Sequence, residues 1–218
     1  MNKRKIIKLA AIVSGISGLT ILVSSIWPII EYQLTDAKSY TTLLTPLVLE
    51  KETKQEKTDF TKASSWFPDA TKNDEFNNSK VGFYNISIPK LKIDNAVVAI
   101  GGEDLSKNLV QYPGTALPGK NGNAVIFGHS ILPIFYNPKN YMSIFSTLPT
   151  LKNGDEINIE YDGISFKYKV EEIFEIFPTD IQILEQNNSD SFLTLVTCTP
   201  PGDPRNPKRL IVRARVVL

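Results

Sequence analysis

The chain has almost no cysteine and almost no histidine. Among its 218 residues there is one cysteine, Cys198, and one histidine, His129. A single cysteine excludes a disulfide within the chain. A zinc site is disfavoured as well, because structural zinc takes four such ligands and catalytic zinc takes three protein ligands. Both residues end short apolar runs typical of β-strands, so they would form a thiol–imidazole pair if those strand ends meet.

The chain also lacks a strong charge of either sign. Its 24 Lys and Arg residues nearly balance 23 Asp and Glu residues, which leaves a formal net charge of +1 and no overall attraction for nucleic acid. Neither a glycine-rich phosphate loop nor a basic surface interleaved with aromatic residues occurs in the sequence. We therefore expect no nucleic-acid partner, and the search for function turns to local features.

A basic cluster precedes an uncharged apolar run at the N-terminus. The run, Leu9–Ile30, has about the length that a helix needs to cross a bilayer, roughly 20 residues. A cleaved signal peptide would have a shorter apolar region and a small-residue cleavage site. We predict that residues 1–30 form an uncleaved single-pass membrane anchor, with everything after it on the extracellular face, because basic residues favour the cytoplasm. The cluster consists of Lys3, Arg4, Lys5 and Lys8.

Residues 31–80 are rich in Lys, Glu, Thr, Asp and Asn, which predicts an extracellular stalk or linker. Trp66 and Phe67 are the exception, since two adjacent aromatic residues are seldom left in water. We expect this pair either to pack near the cleft of the folded domain or to cap an exposed sheet edge, with the sheet edge favoured.

After Val81 the pattern changes to short apolar runs of period two, separated by turn residues. Asp162-Gly163 between two such runs is a strong hairpin signal. Many short strands, with brief helical pieces near residues 105–110 and 142–146, predict a mainly β, closed or nearly closed barrel over residues 81–218. The predicted strands are Gly82–Ile88, Ala96–Ile100, Asn123–Gly128, Glu156–Tyr161, Ile164–Ile176, Phe192–Cys198 and Arg209–Val217.

Several short motifs occur together in this region. Residues 194–198 read Thr-Leu-Val-Thr-Cys, a Gly-His pair occupies residues 128–129, and Arg209 begins the last predicted strand. Together with residues 112–119, Tyr-Pro-Gly-Thr-Ala-Leu-Pro-Gly, these motifs resemble the sortases, cysteine transpeptidases of the bacterial cell surface. The resemblance covers roughly residues 81–218. It implies a closed eight-stranded β-barrel with short helices, preceded by a transmembrane helix.

The resemblance also implies roles for individual residues. Cys198 would be the nucleophile and His129 the general acid and base. Arg209 would hold the substrate backbone or the developing oxyanion, and Thr197 would be an additional substrate-binding donor. Because alternate residues of a strand share a face, Arg213 is the alternative to Arg209.

By the same resemblance, the protein would cleave a Leu-Pro-x-Thr-Gly-like sorting signal of a secreted protein through a thioacyl-enzyme intermediate. The acyl group would pass to an amine of a peptidoglycan precursor or of a pilin. The alternative is a catalytically silent, membrane-tethered barrel that binds extended peptides or cell-wall stems. No cofactor is expected, although calcium stays open because some sortases bind it through acidic residues. The candidates are Glu171, Glu172, Asp180, Glu185 and Asp190.

Overall fold

The structure is a computed structural model that describes residues 3–31, 41–42, 59, 61–67, 82–202 and 208–217. Most of the predicted stalk lies outside the described residues. The chain divides into two compact units, residues 1–39 and residues 40–218, and each is described by itself.

The first unit contains one described helix, α1, which runs from Lys3 to Glu31. Several of its apolar side chains are exposed, among them those of Ile12, Ile16 and Trp27. Among the helices that the structure describes, none combines the length and the mean hydropathy required to cross a membrane.

The second unit is a closed β-barrel. In its described part, eight strands follow the order β7-β6-β2-β3-β4-β5-β8-β9, and β9 pairs again with β7 to close the barrel. The mainly β, eight-stranded barrel predicted from the sequence is therefore confirmed. A short strand, β1, lies parallel to β7 on the outside of this order. The strands are β1 (Thr41–Thr42), β2 (Phe83–Ile88), β3 (Ile93–Ile100), β4 (Leu109–Gln111), β5 (Gly122–Phe127), β6 (Glu156–Tyr161), β7 (Ile164–Ile176), β8 (Ser191–Thr199) and β9 (Lys208–Val217).

All seven predicted strands are present, and the predicted hairpin joins β6 to β7. Tyr161 pairs with Ile164, and both intervening residues, Asp162 and Gly163, have positive φ angles of 52° and 74°. Positive φ at both central positions is the requirement of a two-residue type I′ turn, which matches the twist of the flanking strands.

The predicted helical pieces are wrong in both places. Leu109–Gln111 forms β4, which lies parallel to β3 and antiparallel to β5, and all three of its residues are buried. A buried three-residue run carries too little periodicity to separate a strand from a helix. Residues 142–146 form consecutive turns, and short 3₁₀ turns occur instead at Pro133–Phe135, Leu148–Thr150 and Ile181–Leu184.

Two apolar clusters cover the two faces of the barrel wall around β5 and β8. The inner cluster draws residues from all eight barrel strands and includes Ile126 and Leu195. The outer cluster includes Phe127, Val196 and Cys198. Because successive side chains of a strand point to opposite faces, neighbouring residues belong to different clusters. Both faces being covered explains why β5 and β8 are buried along almost their whole length and present no exposed polar face.

Gly128, directly after β5, provides a test of this packing. A Cβ atom at this position would lie 2.3 Å from Cδ2 of Phe145 and 2.6 Å from Cδ2 of Leu109, both fully buried side chains. Overpacking of this kind typically costs about 1–3 kcal/mol. We predict that Gly128→Ala lowers the free energy of unfolding by about that amount, measured by chemical denaturation.

Gly82→Ala is the matched control, because a Cβ atom there meets nothing within 4 Å. This variant should keep the wild-type denaturation midpoint. Equal midpoints for Gly128→Ala and Gly82→Ala would contradict the close packing behind the end of β5.

Candidate active site

The pairing of β5 with β8 brings His129 and Cys198 to the same end of the barrel. The two strands are parallel neighbours, and Phe127 lies opposite Val196 at the end of their ladder. His129 and Cys198 each come two residues after that pair. The backbone N–H of Gly128 donates to the carbonyl of Val196 at 3.1 Å, so the pairing extends to the residue before the histidine. The carboxyl ends of these two parallel strands thus bring His129 and Cys198 together, although the two residues are far apart in the sequence.

The pairing of β8 with β9 adds a cation to this end. Arg209 lies directly opposite Cys198 in the antiparallel ladder. Its Nη1 is 3.7 Å from Sγ of Cys198, and the arginine is only 1% exposed. Arg213 shares the strand face but lies opposite Thr194, with its guanidinium 5.9 Å from the ring centre of Phe174. The structure therefore places Arg209, and not Arg213, beside the thiol.

Burial and the guanidinium of Arg209 have opposite effects on the pKa of the Cys198 thiol. Cys198 is 6% exposed, and burial raises the pKa of its thiol above the ordinary value, while the charge of Arg209 lowers it. Desolvation is the larger of the two effects. Only the thiolate is nucleophilic, so in this arrangement the cysteine is held mainly as the neutral thiol at neutral pH.

His129 is also shifted toward its neutral form. Burial lowers the pKa of the imidazole, and the backbone of Ser130 and the carboxylate of Asp59 oppose that shift. Within the described residues, neither ring nitrogen makes a hydrogen bond of good geometry. A neutral imidazole with unengaged nitrogens is suited to accept a proton and pass it on.

Trp66 lies between the imidazole and the guanidinium. Its ring centre is 6.2 Å from that of His129 in an edge-on arrangement, and the Cζ atom of Arg209 lies 5.1 Å from the ring. The ring also stacks on Phe127 at 5.4 Å, and the backbone carbonyl of Trp66 accepts a hydrogen bond from Nη2 of Arg209 at 3.2 Å. Trp66 is fully buried and covers the site in this structure.

The expectation that Trp66 and Phe67 cap a sheet edge is therefore wrong. Closure of the barrel through β7 and β9 pairs the strand edges, while the outer face of β5 and β8 remains an apolar surface. Two aromatic side chains gain more by covering that surface than by lying beside a paired edge. Both residues are accordingly part of the outer cluster.

The segment that carries Trp66 is held by backbone hydrogen bonds to the loop after β3. The N–H of Ala63 donates to the carbonyl of Glu103 at 3.0 Å, and the N–H of Leu105 donates to the carbonyl of Thr61 at 2.9 Å. The covering segment, residues 61–67, is therefore docked at both its backbone and its aromatic side chains.

Thr197 is engaged with the backbone of the histidine strand. Its hydroxyl donates to the carbonyl of Gly128 at 2.8 Å, and alternation along β8 places it on the face opposite Cys198. A substrate contact through this hydroxyl would require it to leave Gly128. Sequence reasoning missed a second such contact, in which the Ser130 hydroxyl donates to the carbonyl of Cys198 at 2.9 Å.

Three of the five acidic residues considered for calcium have side-chain partners within the protein. Glu171 and Asp190 both approach Nε of Arg215, at 3.0 Å and 3.8 Å. A carboxylate oxygen of Asp180 accepts a hydrogen bond from the N–H of Phe177 at 2.9 Å. In the part of the chain that the structure describes, no group of three or more His, Cys, Asp or Glu residues is placed to hold a metal ion.

Comparisons with known proteins agree with this geometry. The family model of the sortase domain matches residues 86–217. The chain is similar to Sortase A of Bacillus anthracis, with 27% identity over 174 residues that cover 74% of this chain and 77% of that protein. It is 26% identical to Sortase A of Streptococcus agalactiae serotype III over 132 residues, which cover 60% of this chain and about half, 51%, of that protein. The solved structure of a Clostridium perfringens Sortase D5 transpeptidase is 31% identical, with a TM-score of 0.53, over 66% of this chain and 92% of that one.

The cover over the thiol leads to a prediction for Trp66→Ala. Removing the ring admits water to Cys198, so the desolvation that raises the pKa of the thiol decreases. Below that pKa, each unit of decrease raises the thiolate fraction about tenfold. We expect Trp66→Ala in the full-length chain to increase the rate of alkylation by iodoacetamide at pH 7.5, followed by intact mass, and to shift the pH profile to lower pH.

Phe83→Ala is the control, because Phe83 is an exposed aromatic residue on β2. Its alkylation profile should match that of the wild type. If Trp66→Ala and Phe83→Ala react at the same rate as the wild-type protein, Trp66 does not restrict access to the thiol.

Proposed function

Because the chain belongs to the sortase family, we propose that this cysteine transpeptidase cleaves a Leu-Pro-x-Thr-Gly-like sorting signal at its Thr–Gly bond. The observation that supports the proposal is the placement of Cys198 directly opposite Arg209, at the barrel end where β5 delivers His129. A nucleophile, a proton carrier and a fixed cation at one point are the groups that acyl transfer through a thioester requires.

In the first half of the proposed reaction, Cys198 gives its proton to the neutral imidazole of His129. The thiolate attacks the threonine carbonyl of the signal, and the guanidinium of Arg209 stabilises the oxyanion that develops. A preorganised donor of this kind typically contributes a factor of order 10²–10³ in rate. The C–N bond then breaks, and the imidazolium protonates the departing glycine amine. The products are a thioacyl enzyme and a free C-terminal fragment.

In the second half, an acceptor amine replaces the glycine. The acceptor amine attacks the thioester carbon and gives a proton to His129, the C–S bond breaks to leave the Cys198 thiolate, and the imidazolium returns its proton to that thiolate. The acceptor proposed here is an amine of a peptidoglycan precursor or a lysine of a pilin, and the donor is a secreted protein that carries the sorting signal. The raised thiol pKa and the lowered imidazole pKa favour a neutral resting pair, so we propose that the ion pair forms only during turnover.

The proposal predicts a covalent adduct on one residue. We expect the full-length protein, incubated with a Leu-Pro-x-Thr-Gly peptide, to gain the mass of the fragment that ends in threonine, with release of the glycine fragment. The adduct should disappear on addition of hydroxylamine, which cleaves thioesters, and it should form equally with EDTA or with calcium, because no step uses a metal ion.

Cys198→Ala is the control for the adduct and should remain unmodified. His129→Ala should slow adduct formation, since the proton carrier is lost. An adduct that persists in Cys198→Ala, or a wild-type protein that binds sorting-signal peptides without ever forming an adduct, would favour the silent peptide-binding barrel instead.

We further propose that the N-terminal segment anchors the catalytic unit to the cell membrane, with the barrel on the extracellular face. Support comes from the basic residues that precede the uncharged run Leu9–Ile30. The exposure of Ile12, Ile16 and Trp27 on α1 is a second argument, because large apolar side chains seldom remain in water along a whole helix.

Membrane attachment is tested by fractionation. We expect the full-length protein to remain in the membrane pellet after extraction with alkaline carbonate, and added protease to digest the barrel unit in intact protoplasts. A matched variant with Ile12, Ile16 and Leu19 changed to Asp should move to the soluble fraction, because charged residues at the centre of a span are costly. Full extraction of the wild-type chain by carbonate would contradict the anchor.

A further inference from the structure

We propose that Ser130 is a positioning residue that holds His129 at a fixed separation from Cys198, with Thr197 as its counterpart. The inference rests on the proposed function, because the separation affects the reaction rate only if His129 and Cys198 react as proposed. Its structural basis is two side-chain hydrogen bonds that join the strand end carrying His129 to the strand end carrying Cys198.

The first bond joins the residue after the histidine to the nucleophile itself. The Ser130 hydroxyl donates to the backbone carbonyl of Cys198 at 2.9 Å, across 68 positions of sequence. Ser130 is 5% exposed, so water competes little for the bond. A buried hydroxyl left without its partner loses free energy, which favours this one geometry over nearby alternatives.

The second bond runs in the opposite direction. The Thr197 hydroxyl donates to the backbone carbonyl of Gly128 at 2.8 Å, and Thr197 is fully buried. The residue before the cysteine thus binds the residue before the histidine, while the residue after the histidine binds the cysteine. We call these two bonds the hydroxyl frame.

The hydroxyl frame begins where the backbone ladder ends. The last paired residues of β5 and β8 are Phe127 and Val196, and the Gly128 N–H adds one further bond to Val196. After these residues, the hydroxyl groups of Ser130 and Thr197 provide two further bonds between β8 and the chain that follows β5. Side-chain hydrogen bonds therefore extend the link between the two strand ends past the last backbone bond of the ladder. They do so at the level of His129 and Cys198.

The other side of the histidine is held independently. The N–H of Phe145 donates to the carbonyl of His129 at 3.0 Å. Loss of the Ser130 hydroxyl would therefore leave His129 attached to the 142–146 turns and, through Gly128, to β8, but without the bond on its C-terminal side to Cys198 itself. Displacements of about 1 Å between reacting groups can cost on the order of 100-fold in rate. Ser130 itself donates to backbone and acts through His129, so its role is positioning.

The test compares Ser130→Ala with Ser130→Thr in the full-length protein. We expect Ser130→Ala to lower kcat for cleavage of the Leu-Pro-x-Thr-Gly peptide by roughly 10- to 100-fold with KM changed less than about threefold. Ser130→Thr retains a hydroxyl and should recover most of that loss. Ser191→Ala is the matched control, because Ser191 is a buried serine at the start of β8 whose hydroxyl lies 3.1 Å from that of Tyr168, at the end of the strand remote from Cys198. Its kcat should stay within about threefold of the wild type.

A second measurement does not depend on the substrate. The pH profile of Cys198 alkylation is recorded for wild type, His129→Ala, Ser130→Ala and the double variant. If Ser130 places the imidazole beside the thiol, His129→Ala shifts the profile in the wild-type background and shifts it much less in the Ser130→Ala background. Failure of peptide cleavage in the wild type would reject the proposed substrate while this cycle still decides the role of Ser130.

Three results would overturn the positioning role. One is an unchanged kcat in Ser130→Ala, the second is an equal effect of His129→Ala in both backgrounds, and the third is no effect of His129→Ala on alkylation at all. If Ser130→Ala does not fold, Thr197→Val removes the other hydroxyl of the frame with little change in volume. That variant is expected to show the same loss of kcat and the same weakened coupling, with Thr197→Ser restoring both.

Discussion

The parallel pairing of β5 with β8 is the constraint on which the rest of the site depends. Parallel strands end at the same edge, so a register that pairs Phe127 with Val196 necessarily brings the following residues, His129 and Cys198, to one level. A slip by one residue would turn Cys198 to the inner face of the barrel, among the buried apolar side chains of the inner cluster. The apolar burial of both strand faces fixes this register, and core packing is therefore part of the catalytic geometry.

Desolvation is the second consequence of that packing. The outer cluster that buries Cys198 and half-buries His129 raises the pKa of one and lowers that of the other, so both favour their neutral forms. The charge of Arg209 opposes the effect of burial at Cys198, because it lowers the pKa of the thiol. The site therefore holds a charged donor in place beside a neutral sulfur, and in the proposed reaction this is the preorganisation that would lower the cost of forming an oxyanion.

Sequence reasoning named three residues that the structure brings to one end of the barrel, but it did not place their cover. The resemblance to the sortases pointed to Cys198, His129 and Arg209, and the pairing of β5, β8 and β9 is what brings these three residues together. The brief strand Leu109–Gln111 was missed because three buried residues show no period. Trp66 was misplaced because its partners lie more than 60 residues away along the chain, and local composition carries no information about such contacts.

Arg209 links the cover to the chemistry. Its Nη1 approaches the sulfur of Cys198 while its Nη2 donates to a backbone carbonyl, that of Trp66, so one guanidinium already binds a peptide group next to the nucleophile. A substrate carbonyl at Cys198 would need the same donor. Because the covering segment belongs to the same chain, it competes at a high effective concentration, and the apparent affinity for a substrate falls by the fraction of molecules in which the segment is docked. Under the proposed function, the free energy that docks Trp66 would therefore set how strongly a substrate must bind before the thiol can react.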